Sequence, residues 1–188
     1  QALLDLATEL EGHPDNVAPA LFGGLTIAWT TPNGPKHKKL IVHRGVSLLV
    51  AAPRNITMST KFARSLQPEQ VPHEDAIFNV SRSALLIAAL IQSPELLHEA
   101  TEDKLHQDYR AEAMPETNAL VHKLRDAGFA AVVSGAGPSV LVLTDDPVER
   151  KRAAELIEAT DGAEWECLML AVDFKGATVV VLPAGSDS

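Results

Sequence analysis

The sequence predicts an α+β fold, and three observations carry that expectation. Its second half alternates strand-like and helix-like patterns with antiparallel returns, several helix starts are signalled strongly, and the composition suits a packed core. The 188 residues are 46% hydrophobic and 22% charged, a balance that excludes disordered and fibrous classes. Such a length accommodates one ordinary core or two small ones.

Taken in order, Leu3, Leu6, Ala7 and Leu10 recur at helical spacing and predict a buried helix, broken at Gly12-His13-Pro14-Asp15. That helix delivers a polar loop. Asp15 or Asn16 is placed to cap a second short helix through Phe22, which Gly23-Gly24 ends. Leu25 to Trp29 reads as a strand, Pro32-Asn33-Gly34-Pro35 as a turn and Lys39 to His43 as the hairpin partner, with Lys36-His37-Lys38-Lys39 a solvated tip. Val46 to Ala51 predicts a further strand, central in a sheet because it is apolar throughout.

Helical patterns follow at Ser59 to Ser65 and Glu74 to Gln92, the second carrying Ile77, Ser81, Ala84, Ala88 and Ile91 on one stripe before Pro94. Thr117 to Ala127, with Leu120 and Leu124, closes at Gly128. Asp146-Pro147-Val148-Glu149 combines a capping acid, a first-turn proline and a third-position glutamate. Strands are predicted at Ala130 to Ser134, Ser139 to Thr144, Glu166 to Val172 and Thr178 to Leu182.

A formal charge of −9, from 25 acids against 16 Lys and Arg, argues against nucleic acid as a partner. The longest apolar run, Ala84 to Ile91, is far below the roughly 20 residues that span a bilayer, so no membrane association is expected. Cys167, the single cysteine, sits in an apolar run; it reads as a small hydrophobe, which fits a reducing cytoplasm.

Glu9, Glu11, His13, Asp15 and Asn16 put five polar groups between two apolar helices. His13, Asp15 and Asn16 could orient a small polar substrate, and an upstream glutamate could meet magnesium with phosphate oxygens. Equally, Asp15 and Asn16 could simply cap the helix and His13 occupy its turn. The turn Ser134-Gly135-Ala136-Gly137-Pro138-Ser139 permits close approach of a backbone or a phosphate, or is only a turn. It is neither a Walker A loop nor a dinucleotide fingerprint. Arg64 and Arg110 could each grip a carboxylate with paired hydrogen bonds, solvation being the alternative for any single arginine.

Together, Glu9-Leu10-Glu11-Gly12-His13-Pro14-Asp15-Asn16-Val17-Ala18-Pro19-Ala20 with Phe22-Gly23-Gly24, Leu105-His106-Gln107-Asp108-Tyr109-Arg110, and the Ser134 to Ser139 turn resemble homoserine kinases of the GHMP superfamily. The likeness extends over essentially the whole chain. It implies a GHMP kinase fold, with the end of an S5-like N-terminal domain over residues 1–44 and a ferredoxin-like C-terminal domain over 45–188. It implies ATP and Mg2+ as cofactors and L-homoserine as substrate, phosphorylated on its hydroxyl in threonine biosynthesis. By position, it implies magnesium contact at Glu9, with Glu11 the alternative, and a homoserine pocket at His13, Asp15 and Asn16. Thr60 and Arg64 match the catalytic region, Arg110 and Arg64 match carboxylate recognition, and Gly135, Ala136, Gly137 and Ser139 match the third superfamily motif beside the nucleotide.

Homoserine kinases also carry a Gly-Leu-Gly-Ser-Ser loop that wraps the ATP phosphates at a helix N-terminus. That segment is not in this sequence, so about two-fifths of the family's length is expected to precede Gln1. The 188 residues alone are expected not to bind ATP competently. A homodimer is carried as an expectation. The rival readings are another GHMP small-molecule kinase, such as a mevalonate kinase, and a noncatalytic amino-acid-binding or dimerisation module.

Overall fold

The computed structural model describes residues 1–57 and 59–180, with the side chains of Thr60, Lys61 and Arg64 outside the described set. It contains two compact units. Among the described residues, one comprises residues 1–42 with 172–180, the other residues 43–171. The expected partition at 44/45 grouped the C-terminal tail with the second unit, whereas the structure groups it with the first.

In the first unit, α1 (Ala2–Glu11) and α2 (Pro14–Phe22) precede an antiparallel hairpin of β1 (Leu25–Thr31) and β2 (Gly34–Leu40). α1 ends at Gly12, whose φ of 89° lets its N–H return to the Thr8 carbonyl at 2.7 Å. The expected apolar stripe is not buried: Leu3, Leu6 and Leu10 are exposed and Leu4 alone is enclosed. Leu4 lies one position from the stripe, so helical periodicity identified the element without selecting its inward face.

The N-cap of α2 lies two residues before the expected Asp15, or three before Asn16. His13 holds the N-cap position in an extended conformation and Pro14 opens the helix, its missing N–H being one the first turn leaves unpaired anyway. Gly23 ends α2 where the 172–180 segment passes so closely that a Cβ would lie 2.6 Å from the Gly176 nitrogen. Only glycine fits there. Ala177 donates back to the Ala20 carbonyl at 2.9 Å and Gly24 to the Asp173 carbonyl at 2.7 Å, stitching the tail to α2.

The hairpin turn is tighter than expected. Thr31 pairs directly with Gly34 across Pro32-Asn33, so β2 starts at Gly34 rather than Lys39. The basic run is therefore strand and not a solvated tip. His37 stacks on Phe22 with ring centroids 3.7 Å apart, and Lys39 Nζ donates to the Phe22 and Phe174 carbonyls at 2.6 and 2.5 Å. No strand forms over residues 178–180, and 181–182 lie outside the described residues. The Thr-Val-Val run has β-propensity, but propensity reflects packing against a neighbouring strand, and among the described residues none pairs with it.

The second unit holds β3 (Ser47–Pro53), α3 (Thr60–Ser65), α4 (His73–Ile91), α5 (Leu97–Ala100), α6 (Gln107–Arg110) and α7 (Pro115–Asp126). β4 (Ala130–Val133), β5 (Val140–Thr144), α8 (Pro147–Glu158) and β6 (Trp165–Leu170) complete it. The strands form one antiparallel sheet in the order β4-β5-β3-β6, with β3 internal as expected. Chain order and sheet order together make the βαββαβ ferredoxin-like arrangement.

Leu49 and Ala51 of β3, Ala131 of β4 and Val140 and Val142 of β5 bury one face against Leu120 and Leu124 of α7 and Ala153 and Ile157 of α8. α8 starts as its sequence signals: Asp146 Oδ1 accepts the Val148 N–H at 2.7 Å, ahead of Pro147. Glu149, however, pairs with Arg152, and the Asp146 N–H goes to Thr144 Oγ1, so the reciprocal half of a capping box is not formed.

On α4 the expected stripe is displaced, since Ile77, Ser81 and Ala84 are exposed. Arg82 turns inward to Glu102 at 2.7 Å and covers the Phe78 ring, while Ala89 is buried. The unbroken apolar run from Ala84 to Ile91 covers every side of the helix and so cannot choose a face. Among the described residues no helix is long and apolar enough to cross a membrane.

Candidate functional site

In the first unit, Gly12 and Pro14 turn the chain so that His13, Asp15 and Asn16 stand exposed at the first turn of α2. Asp15 Oδ1 accepts the Asn16 N–H at 3.0 Å, which is local turn chemistry. Asp15 also places negative charge at the positive end of the helix. Glu9 and Glu11 are exposed near the end of α1. Among the described residues no three His, Cys, Asp or Glu side chains gather as a metal cage.

In the second unit, the Gly135 to Ser139 turn joins β4 to β5. Ser134 donates to the Ser139 carbonyl at 2.8 Å and Gly137 to the Ser134 carbonyl at 3.0 Å. From α7, the fully buried Thr117 donates its hydroxyl to the Pro138 carbonyl at 2.7 Å. Gly137 has a φ of +83°, and a Cβ there would lie 2.7 Å from Met114 Sδ, so the turn is packed tightly from beneath.

Arg110, at the end of α6, reaches this turn and donates from Nη1 to the Gly135 carbonyl at 3.1 Å. With the Gln67 amide oriented to satisfy both neighbours, its oxygen accepts from Arg110 Nε at 2.9 Å and its nitrogen donates to the Leu105 carbonyl at 2.7 Å. These bonds engage two of the five guanidinium N–H donors. Among the described residues Nη2 has no hydrogen-bond partner. Gln107 Oε1 accepts the Val133 N–H at 2.7 Å, fastening α6 to the strand that leads into the turn.

Asp103 holds the other end of α6. Its carboxylate accepts from Asn79 Nδ2 at 2.7 Å and from the backbone N–H groups of Leu105, His106 and Gln107 at 3.1, 2.8 and 2.7 Å. Burial opposes ionisation, but the bonds from Gln107, Asn79, His106 and Leu105 outweigh it and hold the carboxyl below its ordinary value. Burial pushes the Cys167 thiol up and Glu158 adds to the effect, so a thiolate nucleophile is disfavoured there.

Of the residues singled out from sequence, Arg110 and the Gly135 to Ser139 turn are brought into direct contact. His13, Asp15 and Asn16 share one helix start. Thr60 and Arg64 lie on α3, with side chains outside the described set. Sequence reasoning missed Asp103, Asn79, Gln67 and Thr117. Asp103 alone left a local trace, an acid just before a helical segment; the partners of the others lie too far along the chain to be read from it.

Residues 85–160 match the family described as GHMP kinases C terminal. The particular likeness is to homoserine kinases. The chain is 74% identical to the homoserine kinase of Clavibacter michiganensis over 98% of its own length and 58% of that protein's. It is 47% identical to the homoserine kinase of Streptomyces coelicolor, covering 59% of it. The chain therefore spans about three-fifths of the length of these relatives.

The crystal structure of a homoserine kinase from Cytophaga hutchinsonii superposes with a TM-score of 0.75 at 23% identity, over 86% of this chain and 52% of that one. The crystal structure of an L. major mevalonate kinase superposes with a TM-score of 0.55 at 15% identity, over 82% of this chain and 52% of that one. At those identities the two structures support the fold alone.

Proposed function

We propose that the chain is the C-terminal three-fifths of a homoserine kinase, whose complete form transfers the ATP γ-phosphoryl group to the hydroxyl of L-homoserine in threonine biosynthesis. The 74% identity over 98% of the chain carries this reading. In the reaction the hydroxyl oxygen forms a bond to the γ-phosphorus, the bond from that phosphorus to the ADP oxygen breaks, and the hydroxyl proton is released. A loose transition state requires little early deprotonation, so positioning and charge neutralisation are the protein's main contributions.

Each unit has its proposed part. In the second, Arg110, held through Gly135 and Gln67, supplies the N–H groups for the homoserine carboxylate, with Arg64 as its partner. Thr60 belongs to the catalytic region, and Gly135, Ala136, Gly137 and Ser139 support the nucleotide side. In the first, His13, Asp15 and Asn16 serve the ammonium and hydroxyl end of the amino acid. Glu9, or Glu11, offers magnesium one carboxylate, and the ion, when bound, neutralises phosphate charge. A cytoplasmic setting and a homodimer complete the reading.

The test uses the complete enzyme. Arg110→Ala is expected to raise the homoserine KM by about thirtyfold or more, the scale for losing a paired charge contact, with the ATP KM nearly unchanged. Equal effects on both substrates would remove the assigned role. Glu9→Gln is expected to weaken magnesium-dependent turnover; the same loss from Glu11→Gln alone would move the ligand to Glu11.

A further inference from the structure

We propose that Asp103 is a positioning residue for this reaction: held by Asn79, its carboxylate anchors the start of α6 and thereby sets Arg110 against the Gly135 to Ser139 turn. The proposal rests on the reading of Arg110 as the carboxylate anchor of the substrate.

α6 contains only four residues, far fewer than a helix needs to sustain itself. Its orientation must come from tertiary bonds at its two ends. At the start, both Asp103 oxygens are engaged: Oδ1 accepts from Asn79 Nδ2 and the Leu105 N–H, and Oδ2 from the His106 and Gln107 N–H groups. Asn79 is itself locked, because its Oδ1 accepts the Lys104 N–H at 2.8 Å. The same amide therefore orients the carboxylate and the chain beside it.

Gln107 connects the two ends. Its backbone N–H goes to Asp103, and its side chain accepts the Val133 N–H immediately before the turn. One helical turn later Arg110 donates to the Gly135 carbonyl. Removing the Asp103 carboxylate frees three backbone donors at once and leaves the start of α6 held by the Gln107 side chain. Because charge-assisted bonds of this kind are about twice as strong as neutral ones, a neutral isostere replaces the anchor only in part. Asn at position 103 would also present an NH2 group to donors on one side.

The experiment measures both KM values and kcat for Asp103→Ala, Asp103→Asn, Asn79→Ala, Arg110→Ala and the double variant Asp103→Ala/Arg110→Ala in the complete enzyme. Asp103→Ala is expected to raise the homoserine KM about tenfold or more, as displacement of a positioning group does, with the ATP KM within about twofold of the unsubstituted enzyme. Asp103→Asn and Asn79→Ala should shift the same constant by less, which keeps the test intact should Asp103→Ala fail to fold. In the double variant the homoserine KM should match that of Arg110→Ala, since an anchor has nothing left to position once the guanidinium is gone.

An unchanged homoserine KM in Asp103→Ala, equal rises for both substrates, or multiplicative effects in the double variant would each overturn the proposal. Those outcomes leave the kinase reading standing if Arg110→Ala alone still raises the homoserine KM. An Arg110→Ala enzyme with normal homoserine KM would overturn the underlying assignment instead.

Discussion

Asp103 accepts four hydrogen bonds while partly buried, and its folded pKa lies below its ordinary value despite the opposing effect of burial. As pH falls, the unfolded chain then takes up the proton before the folded one. The stability that this carboxylate contributes is complete above the ordinary carboxylate range near about pH 4 and is lost as pH falls through the folded value. Urea midpoints measured from neutral to acidic pH should show Asp103→Ala well below the unsubstituted protein at pH 7, the two converging in acid. A constant gap across that range would show that ionisation of Asp103 contributes nothing. At this scale Arg110 was legible because a guanidinium beside His-Gln-Asp-Tyr carries a recognisable motif. Asp103 was not, since its partner Asn79 is 24 residues away.

The β4 to β5 turn is the element that Arg110 reaches, and its two left-handed glycines differ in what surrounds them. Gly135 has a φ of +58° with open space where a Cβ would stand, whereas Gly137, at +83°, would press a Cβ against Met114 Sδ and Val133 Cγ1. Gly135→Ala should therefore cost only the backbone term, about 1 kcal/mol. Gly137→Ala adds overpacking and should cost about 2–4 kcal/mol in all. Chemical denaturation of both variants checks the order, and equal costs would show that Met114 yields without penalty. Helix ends followed local chemistry closely, as at Asp146-Pro147, while helix faces did not. α4 half-buries Arg82 against Phe78 and Glu102 and leaves Ile77 in water, a choice that depends on which neighbours the helix meets.

For the whole molecule, the proposed reading separates the chain's identity from its competence. A polypeptide limited to these 188 residues, which contain no Gly-Leu-Gly-Ser-Ser loop, should give no saturable ATP heat in calorimetry up to about millimolar concentration. The complete enzyme should bind ATP under the same conditions, and saturable binding by the short chain would place phosphate contacts within it. The sequence by itself determined the α+β class, most element boundaries and the motifs resembling homoserine kinases. Each depends on residues a few positions apart, where caps, prolines, glycines and periodicity act directly on the backbone. Only the tertiary structure decided the β4-β5-β3-β6 order, the return of the tail to Gly23, the start of β2 at Gly34 and the anchoring of α6 by Asp103 and Asn79. Those features join residues far apart in the chain, and their energies arise from close approach and shared hydrogen bonds that local sequence pattern does not encode.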